Sequence, residues 1–307
     1  MASMACFRRW CHPLVLVLVL ALALVSPTAM AMTVVTSIGP VHSLVSGVME
    51  GAGTPVLLLR GGVSPHTYSL RPSDARALNE ARLVFWVGPE LEGFLARPLA
   101  GLGGGTTVVE LMNLPGLTLH PARPVDSWEE GHDHGGMDPH LWLDPDNARR
   151  IVAAAAEALA AADSGHADLY RANAGRLLER LDALDREVRD LLTPVRERGF
   201  IVFHDAYQYL ERRYGLRAVG AVTVSPERPP GARRLSDLRR RLMTSGIVCV
   251  FQEPQFPPKL FQTLTEGTPA RTGILDPNGA AVASGSDQYF EMMRSNARSL
   301  RTCLGGP

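Results

Sequence analysis

Three histidines lie far apart in the sequence, each beside a residue that could help to position it. His66 and His140 each follow a proline, and His204 precedes an aspartate. A proline fixes its own φ and keeps the preceding residue extended, so a short segment can present an imidazole nitrogen at low entropic cost. Three neutral imidazoles suit zinc and leave one position for a water or a carboxylate. We therefore interpret the three histidines as ligands of one metal site that folding assembles.

Three acidic residues follow predicted strands and are candidates to complete or support this site. Asp276 precedes a proline. If it is a ligand, the site becomes His₃Asp, which zinc accepts and manganese tolerates. If it is not, a water fills the fourth position. The alternative for Asp276 is that it caps the following turn. We expect Asp205 to support a ligand or cap a helix. Glu253 either orients a ligand histidine or caps the next helix, and direct contact with the metal is the less favoured reading.

The other histidines have weaker settings. The polar, glycine-bounded segment from Asp126 to Met137 contains His132 and His134, and we expect a mobile loop there. Such a loop binds zinc weakly at best, because it must order itself to do so, and an absence of any function is equally open. Three further histidines are interpreted as structural or solvent-exposed: His42, His120 and His166.

Short apolar strands alternate with helices on both sides of a long helical stretch. This alternation predicts an α/β fold with two lobes, each built on a parallel-type sheet. An apolar stripe over Ala167 to Val195 predicts one rigid helix about 40 Å long that joins the lobes, with two kinked helices as the alternative. We expect an amino-terminal lobe over residues 32–165, a linking helix over 166–198 and a carboxyl-terminal lobe over 199–307.

The predicted strands also suggest where the metal site lies. His66 and His204 follow strands of different lobes, and His140 precedes a helix at the boundary between them. Ligands of open α/β sheets bind in the crevice outside the carboxyl ends of the strands. The predicted site is therefore in the cleft between the lobes.

Residues 1–31 have the features of a secretory signal peptide. Two arginines precede an apolar run that is short for a membrane span, and an Ala-x-Ala pattern ends at Ala31. Cleavage before Met32 is expected, with an uncleaved anchor as the alternative. It would remove two of 31 basic residues and none of 31 acidic ones, leaving 276 residues with a net charge of −2. That balance gives no basic face for nucleic acid.

Two cysteines remain after the leader, Cys249 and Cys303. An even pair in an exported protein is typical of a disulfide, because the compartment is oxidising. The alternative is one buried thiol in a strand and one thiol near the carboxyl terminus.

Five ordered motifs resemble those of the zinc-binding ZnuA-type receptors of bacterial metal ABC transporters, within the wider TroA-like cluster. The resemblance runs from about Thr33 to Leu304 and depends on these segments: SPHTYSLRPSD at 64–74, DPHLWLDP at 138–145, FHDAY at 203–207, EPQF at 253–256 and LDP at 275–277.

The resemblance implies a periplasmic or surface receptor with two α/β lobes joined by a rigid helix, and we expect the periplasmic form because of the leader. It binds Zn(II) as cargo between the lobes and delivers it to a membrane permease. His66, His140 and His204 match the metal histidines of the family, and the two cysteines match a pair found in zinc-type members. Asp276 matches an acidic position that completes the site in manganese-type relatives. We expect a monomer, and the short Glu129 to His134 segment is a departure from the long histidine-rich loop of many zinc-type members.

Two alternatives stay open at this point. A manganese receptor of the same family would use Asp276 as a true ligand, but zinc is favoured because nitrogen dominates the ligand set. A zinc hydrolase would also use three histidines and a water. The sequence has no His-Glu-x-x-His stretch and no glutamate with evident general-base placement, so we expect no enzymatic activity.

The first prediction compares two histidines. His140→Ala should weaken zinc binding far more than His134→Ala, because the first removes a ligand from an enclosed site and the second alters a loop. Competition against a chelator measures both affinities, and equal losses would contradict the assignment of the main site.

Overall fold

The computed structural model describes residues 32–123, 136–223, 230–256 and 259–306. The leader, with its predicted cleavage site, and the segment that contains His132 and His134 lie outside the described residues. Residues from Met32 onward form one compact unit. Within the described ranges, no helix has the length and apolar character that a membrane span requires.

The first sheet has four parallel strands, in the order β2-β1-β3-β4. They are β1 (Val34–Thr36), β2 (Val56–Leu57), β3 (Leu83–Trp86) and β4 (Thr107–Glu110). Every residue of β1 and β3 is buried, as expected for central strands of a sheet that helices cover on both faces.

The second sheet repeats this design with the order β6-β5-β7-β8, again entirely parallel. Its strands are β5 (Gly199–His204), β6 (Arg217–Thr223), β7 (Cys249–Gln252) and β8 (Arg271–Ile274). The pairing of β5 with β6 is irregular between Phe200 and Ile201. His204 is the last residue of the central strand β5, so the strand delivers its side chain to the carboxyl edge of the sheet.

Nine α-helices lie in the described part of the chain. They are α1 (Gly39–Val48), α2 (Pro72–Asn79), α3 (Gly93–Ala100), α4 (Pro145–Ala162), α5 (Ala167–Leu192), α6 (Gln208–Tyr214), α7 (Ala232–Thr244), α8 (Lys259–Thr265) and α9 (Gln288–Gly305). Short 3-10 turns occupy Leu111–Asn113, Leu141–Leu143, Ser164–His166 and Thr193–Val195.

The helix α5 is the long helix of the prediction, and it is continuous. Its buried residues include Leu177, Leu181, Leu184 and Val188, which form one stripe at helical spacing. The stripe packs against α4, and α9 and α1 also pack on α5. The helix ends at Leu192, and a 3-10 turn completes the predicted length. Two sheets of parallel strands, each flanked by helices, with a long helix between them in the sequence, confirm the predicted α/β fold class. The lobe boundaries at 165/166 and 198/199 stay a prediction.

Hydrogen bonds of Trp142 and Tyr289 connect the segment after His140 with the chain that follows the second sheet. The indole nitrogen of Trp142 donates to the carbonyl oxygen of Pro277 at 2.7 Å, and the hydroxyl of Tyr289 donates to the carbonyl oxygen of Trp142 at 2.9 Å. Both side chains are fully buried. The turn that follows His140 is therefore fixed to the turn that follows β8.

The disulfide between Cys249 and Cys303 is present and confirms that prediction. It joins the start of β7 to α9 and closes a loop with a sequence separation of 54. In the chain-entropy account, a loop of this length stabilises the folded state by about 4 kcal/mol.

Replacing both cysteines by alanine should lower the free energy of unfolding by about 4 kcal/mol, because the unfolded chain regains the entropy of the open loop. Denaturant titration measures the change. The matched control is wild-type protein in strong reductant, which should show a similar loss, whereas the double variant should not respond to reductant. A wild-type protein that is insensitive to reductant would contradict the bond.

Candidate metal site

His66 reaches the site on a loop that follows β2. Its backbone nitrogen donates to the side chain of Ser64 at 3.3 Å. Two residues later the buried Tyr68 donates its hydroxyl to Asp74 at 2.5 Å, and Asp74 also accepts from the backbone nitrogen of Arg71 at 2.9 Å. The start of α2 therefore anchors the loop on the carboxyl-terminal side of His66.

His140 immediately precedes a 3-10 turn and is buried. Its Nδ1 lies 2.8 Å from Oδ1 of Asp138, and its backbone nitrogen donates to the same oxygen at 3.0 Å. The two bonds fold Asp-Pro-His into a tight Asx-type turn. A carboxylate at Nδ1 keeps the proton there and leaves the lone pair of Nε2 free to bind a metal.

His204 has an equivalent partner from a neighbouring strand. Its Nδ1 lies 2.7 Å from Oε1 of Glu253, and both side chains are almost inaccessible to solvent. Glu253 follows β7, which lies beside β5 in the second sheet. Of the two roles predicted for Glu253, the structure shows the hydrogen bond to a histidine.

The three imidazoles converge on one point. Nε2 of His140 lies 3.4 Å from Nε2 of His66 and 3.4 Å from Nε2 of His204. One ligand atom from each of the three rings lies within 4.8 Å of the others. A tetrahedral zinc ion with Zn–N bonds of about 2.0–2.1 Å separates two ligand nitrogens by about 3.4 Å. The spacing therefore suits three nitrogens that share one ion.

Burial and charge act differently on two of the rings. Burial, together with the nearby His140 and His204, holds the pKa of His66 well below its usual value. Burial by itself lowers the pKa of His204, but the charge and hydrogen bond of Glu253 outweigh it, so the pKa is raised on balance. In the metal-free protein His66 is thus ready to bind, whereas at acidic pH His204 must first lose a proton.

Asp276 is not part of the group that the three histidines form. Its side chain accepts three hydrogen bonds: one from the amide of Gln255 at 3.0 Å, and two from the backbone nitrogens of Asn278 at 3.1 Å and Ala281 at 3.0 Å. These are the contacts of a residue that holds a turn. A ligand role for Asp276 stays a prediction.

The remaining candidates have other partners. Asp205 pairs with Arg123. His42 is buried with Nε2 3.2 Å from the carbonyl oxygen of Pro55, and His166 is exposed beside Asp163. The ring of His120 packs against that of Tyr209 in a tilted arrangement, with 4.8 Å between ring centroids. The structural or solvent-exposed roles predicted for these three histidines are confirmed.

Sequence reasoning missed the residues that support His140. Besides its bonds to His140, Asp138 accepts from the amide of Gln208 at 3.3 Å, and its backbone carbonyl accepts from the hydroxyl of Tyr209 at 2.7 Å. An aspartate two residues before a histidine is a signal for an Asx-type turn and could have indicated Asp138. Gln208 and Tyr209 follow His204 closely, but no local pattern marks them.

Comparison with known proteins places this chain in a family. The family described as "Zinc-uptake complex component A periplasmic" matches residues 34–303. The chain belongs to this family. Its members are uptake components of the periplasm by that description, so the predicted resemblance is confirmed.

Relatives and solved structures agree with this assignment. The chain is 44% identical to the high-affinity zinc uptake system protein ZnuA of Brucella abortus (strain 2308), with 88% of this chain and 91% of the relative covered. It is 36% identical to the ZnuA protein of Yersinia pestis over the same shares. A crystal structure of ZnuA superposes with a TM-score of 0.76 at 26% identity and covers 89% of this chain and 99% of that one. A zinc-bound deletion variant of ZnuA has the same TM-score at 25% identity, covering 90% and 99%.

The raised pKa of His204 gives a prediction about pH. Zinc affinity should fall as the pH drops through that pKa, because a proton then competes for Nε2. Glu253→Gln removes the charge that raises the pKa, so the loss should begin at a lower pH. At pH 8 the same variant should bind zinc about 10-fold more weakly, because the ring loses its orienting carboxylate.

Chelator competition across a pH series measures both effects. Glu187→Gln is the matched control, since Glu187 pairs with Arg294 on the surface of α5. A pH midpoint that stays in place in Glu253→Gln would show that Glu253 does not set the protonation of His204.

Proposed function

We propose that this protein binds Zn(II) in the periplasm through His66, His140 and His204 and delivers it to the permease of an ABC transporter. The zinc ion is cargo, so the protein performs no chemical step. The convergence of three Nε2 atoms at zinc-like spacing carries the proposal.

The chemistry of the donors supports zinc as the cargo. Three nitrogens form a borderline-soft set, for which zinc stands above manganese in the usual affinity order. The buried carboxylates Asp138 and Glu253 each hold one ring by its Nδ1. Such carboxylate–histidine pairs raise the basicity of the ligand and fix its orientation. The names of the relatives, which are high-affinity zinc uptake proteins, point to the same ion.

A water completes the zinc shell in this proposal, and Asp276 maintains its turn. Three of the roughly four lone-pair positions of the Asp276 carboxylate already accept hydrogen bonds from Gln255, Asn278 and Ala281, so we assign the side chain to this turn. A site with a fourth position open to solvent also gives the ion a route of release, which a receptor needs.

The setting of the protein follows from the family. Cleavage after Ala31 would release a soluble periplasmic receptor that acts as a monomer and meets the permease through the exposed faces of its two halves. The description of the family as a periplasmic uptake component supports this part of the proposal.

Titration of metal-stripped protein that begins at Met32 tests the function. We expect one equivalent of tightly bound zinc and much weaker manganese, measured by competition with a chelator. Asp276→Asn is the informative variant: zinc affinity within about threefold of wild type fits a turn residue, because loss of a ligand typically costs 10-fold or more. Comparable manganese binding that Asp276→Asn abolishes would change the cargo, and no tight binding of either ion would overturn the function.

A further inference from the structure

Arg123 belongs to a chain segment that pairs with the segment leading to His140. Pro121 and Met137 form an antiparallel bridge. On either side of the bridge the backbone nitrogen of Ala122 donates to Gly136 at 3.0 Å, and that of Asp138 donates to His120 at 2.8 Å. A shift of the segment that contains Arg123 would therefore also move Asp138 and the ring of His140 that it orients.

The guanidinium of Arg123 bridges two acidic residues close to His204. Its Nε donates to Asp205 at 2.8 Å, and its two terminal nitrogens donate to Glu211 at 2.8 Å each. A terminal nitrogen also contacts the second oxygen of Asp205. Asp205 directly follows His204, and Glu211 lies on α6. The side chains of Asp205 and Glu211 are only 6% and 9% exposed, so water screens this network poorly.

Two neutral hydrogen bonds also connect α6 to these paired segments. From α6, Gln208 donates to the carbonyl oxygen of Pro121 at 3.0 Å, and Tyr209 donates to that of Asp138 at 2.7 Å. Arg123 adds a two-sided fork that fixes the direction of approach, since a guanidinium binds carboxylates in a planar, bidentate geometry.

We infer that Arg123 sets the distance between His140 and His204 and is a positioning residue for zinc binding. Its ion pairs hold the segment leading to one ring against the strand end that carries the other. The inference rests on the proposed function, because the spacing of the rings matters only if they share an ion.

A lysine separates the effect of geometry from that of charge. Arg123→Lys keeps the positive charge between Asp205 and Glu211, so the long-range field at the site is preserved. It cannot reproduce the bidentate fork toward both carboxylates at once. Removing the charge altogether would confound the test, because two uncompensated carboxylates would attract any cation.

The experiment compares Arg123→Lys with Arg294→Lys in protein that begins at Met32. Arg294 also bridges two carboxylates, Glu187 at 2.8 Å and Glu291 at 2.9 Å, but it does so between α5 and α9. We expect Arg123→Lys to weaken zinc binding by about 10-fold, the usual cost of disturbing a residue that supports a ligand, and Arg294→Lys to leave it unchanged. Cobalt(II) provides a second readout, because its visible absorption reports ligand geometry; the spectrum should change only in Arg123→Lys.

A stability measurement and a reserve variant make the result interpretable. Thermal unfolding of the metal-free variants shows whether each folds; if Arg123→Lys does not, Glu211→Gln, which retains the pair with Asp205, replaces it with a smaller expected loss. Wild-type affinity and cobalt spectrum in a folded Arg123→Lys would overturn the inference while leaving the zinc function intact. Failure of the wild-type protein to bind zinc would instead refute the proposed function.

Discussion

The site depends on two buried hydrogen bonds, each between a carboxylate and Nδ1 of a histidine. Asp138 holds His140 and Glu253 holds His204. An imidazole without such a partner can rotate and can exchange its proton between two nitrogens. With the partner in place, the proton stays on Nδ1, the lone pair of Nε2 is available to a metal, and the direction of that lone pair is fixed. The carboxylates lie in surroundings that exclude water, so their bonds to the rings are stronger than they would be at the surface.

The fold supplies these partners by placing the ends of parallel strands together. β5 and β7 are neighbours, so the residue that ends one strand and the residue that follows the other meet at the same edge of the sheet. The segment with His140 comes from elsewhere in the chain, and the bond between Trp142 and Pro277 holds it beside the second sheet. His66 differs, because within the described residues no carboxylate bonds its Nδ1. Two ligands of the proposed site are thus pre-organised, and the third is held only by the loop that carries it.

The formal charges around the site favour a divalent cation. Asp138 and Glu253 face imidazoles, and a bound metal would make these rings more acidic donors to the carboxylates. Asp205 and Glu211 lie nearby and share the single positive charge of Arg123, so the three side chains together keep one formal negative charge. Because desolvation offsets much of the attraction in a buried ion pair, such a pair is weak evidence for stability; this one joins the segment before His140 to the strand end that carries His204.

The sequence by itself determined the α/β class, the continuous helix α5 and the disulfide, and it singled out the three histidines whose rings converge in the structure. These features depend on local patterns: strand and helix periodicity, an even pair of cysteines in an exported chain, and histidines beside restricted backbone. Sequence could not decide between two roles for Asp276 or for Glu253, because both residues occupy similar positions after a strand. The tertiary structure shows their different contacts: Glu253 lies against His204, and Asp276 accepts hydrogen bonds from its own turn and from Gln255. Arg123 shows the same limit: its partners lie 82 and 88 residues away, and a long-range pairing of charges leaves no local pattern to read.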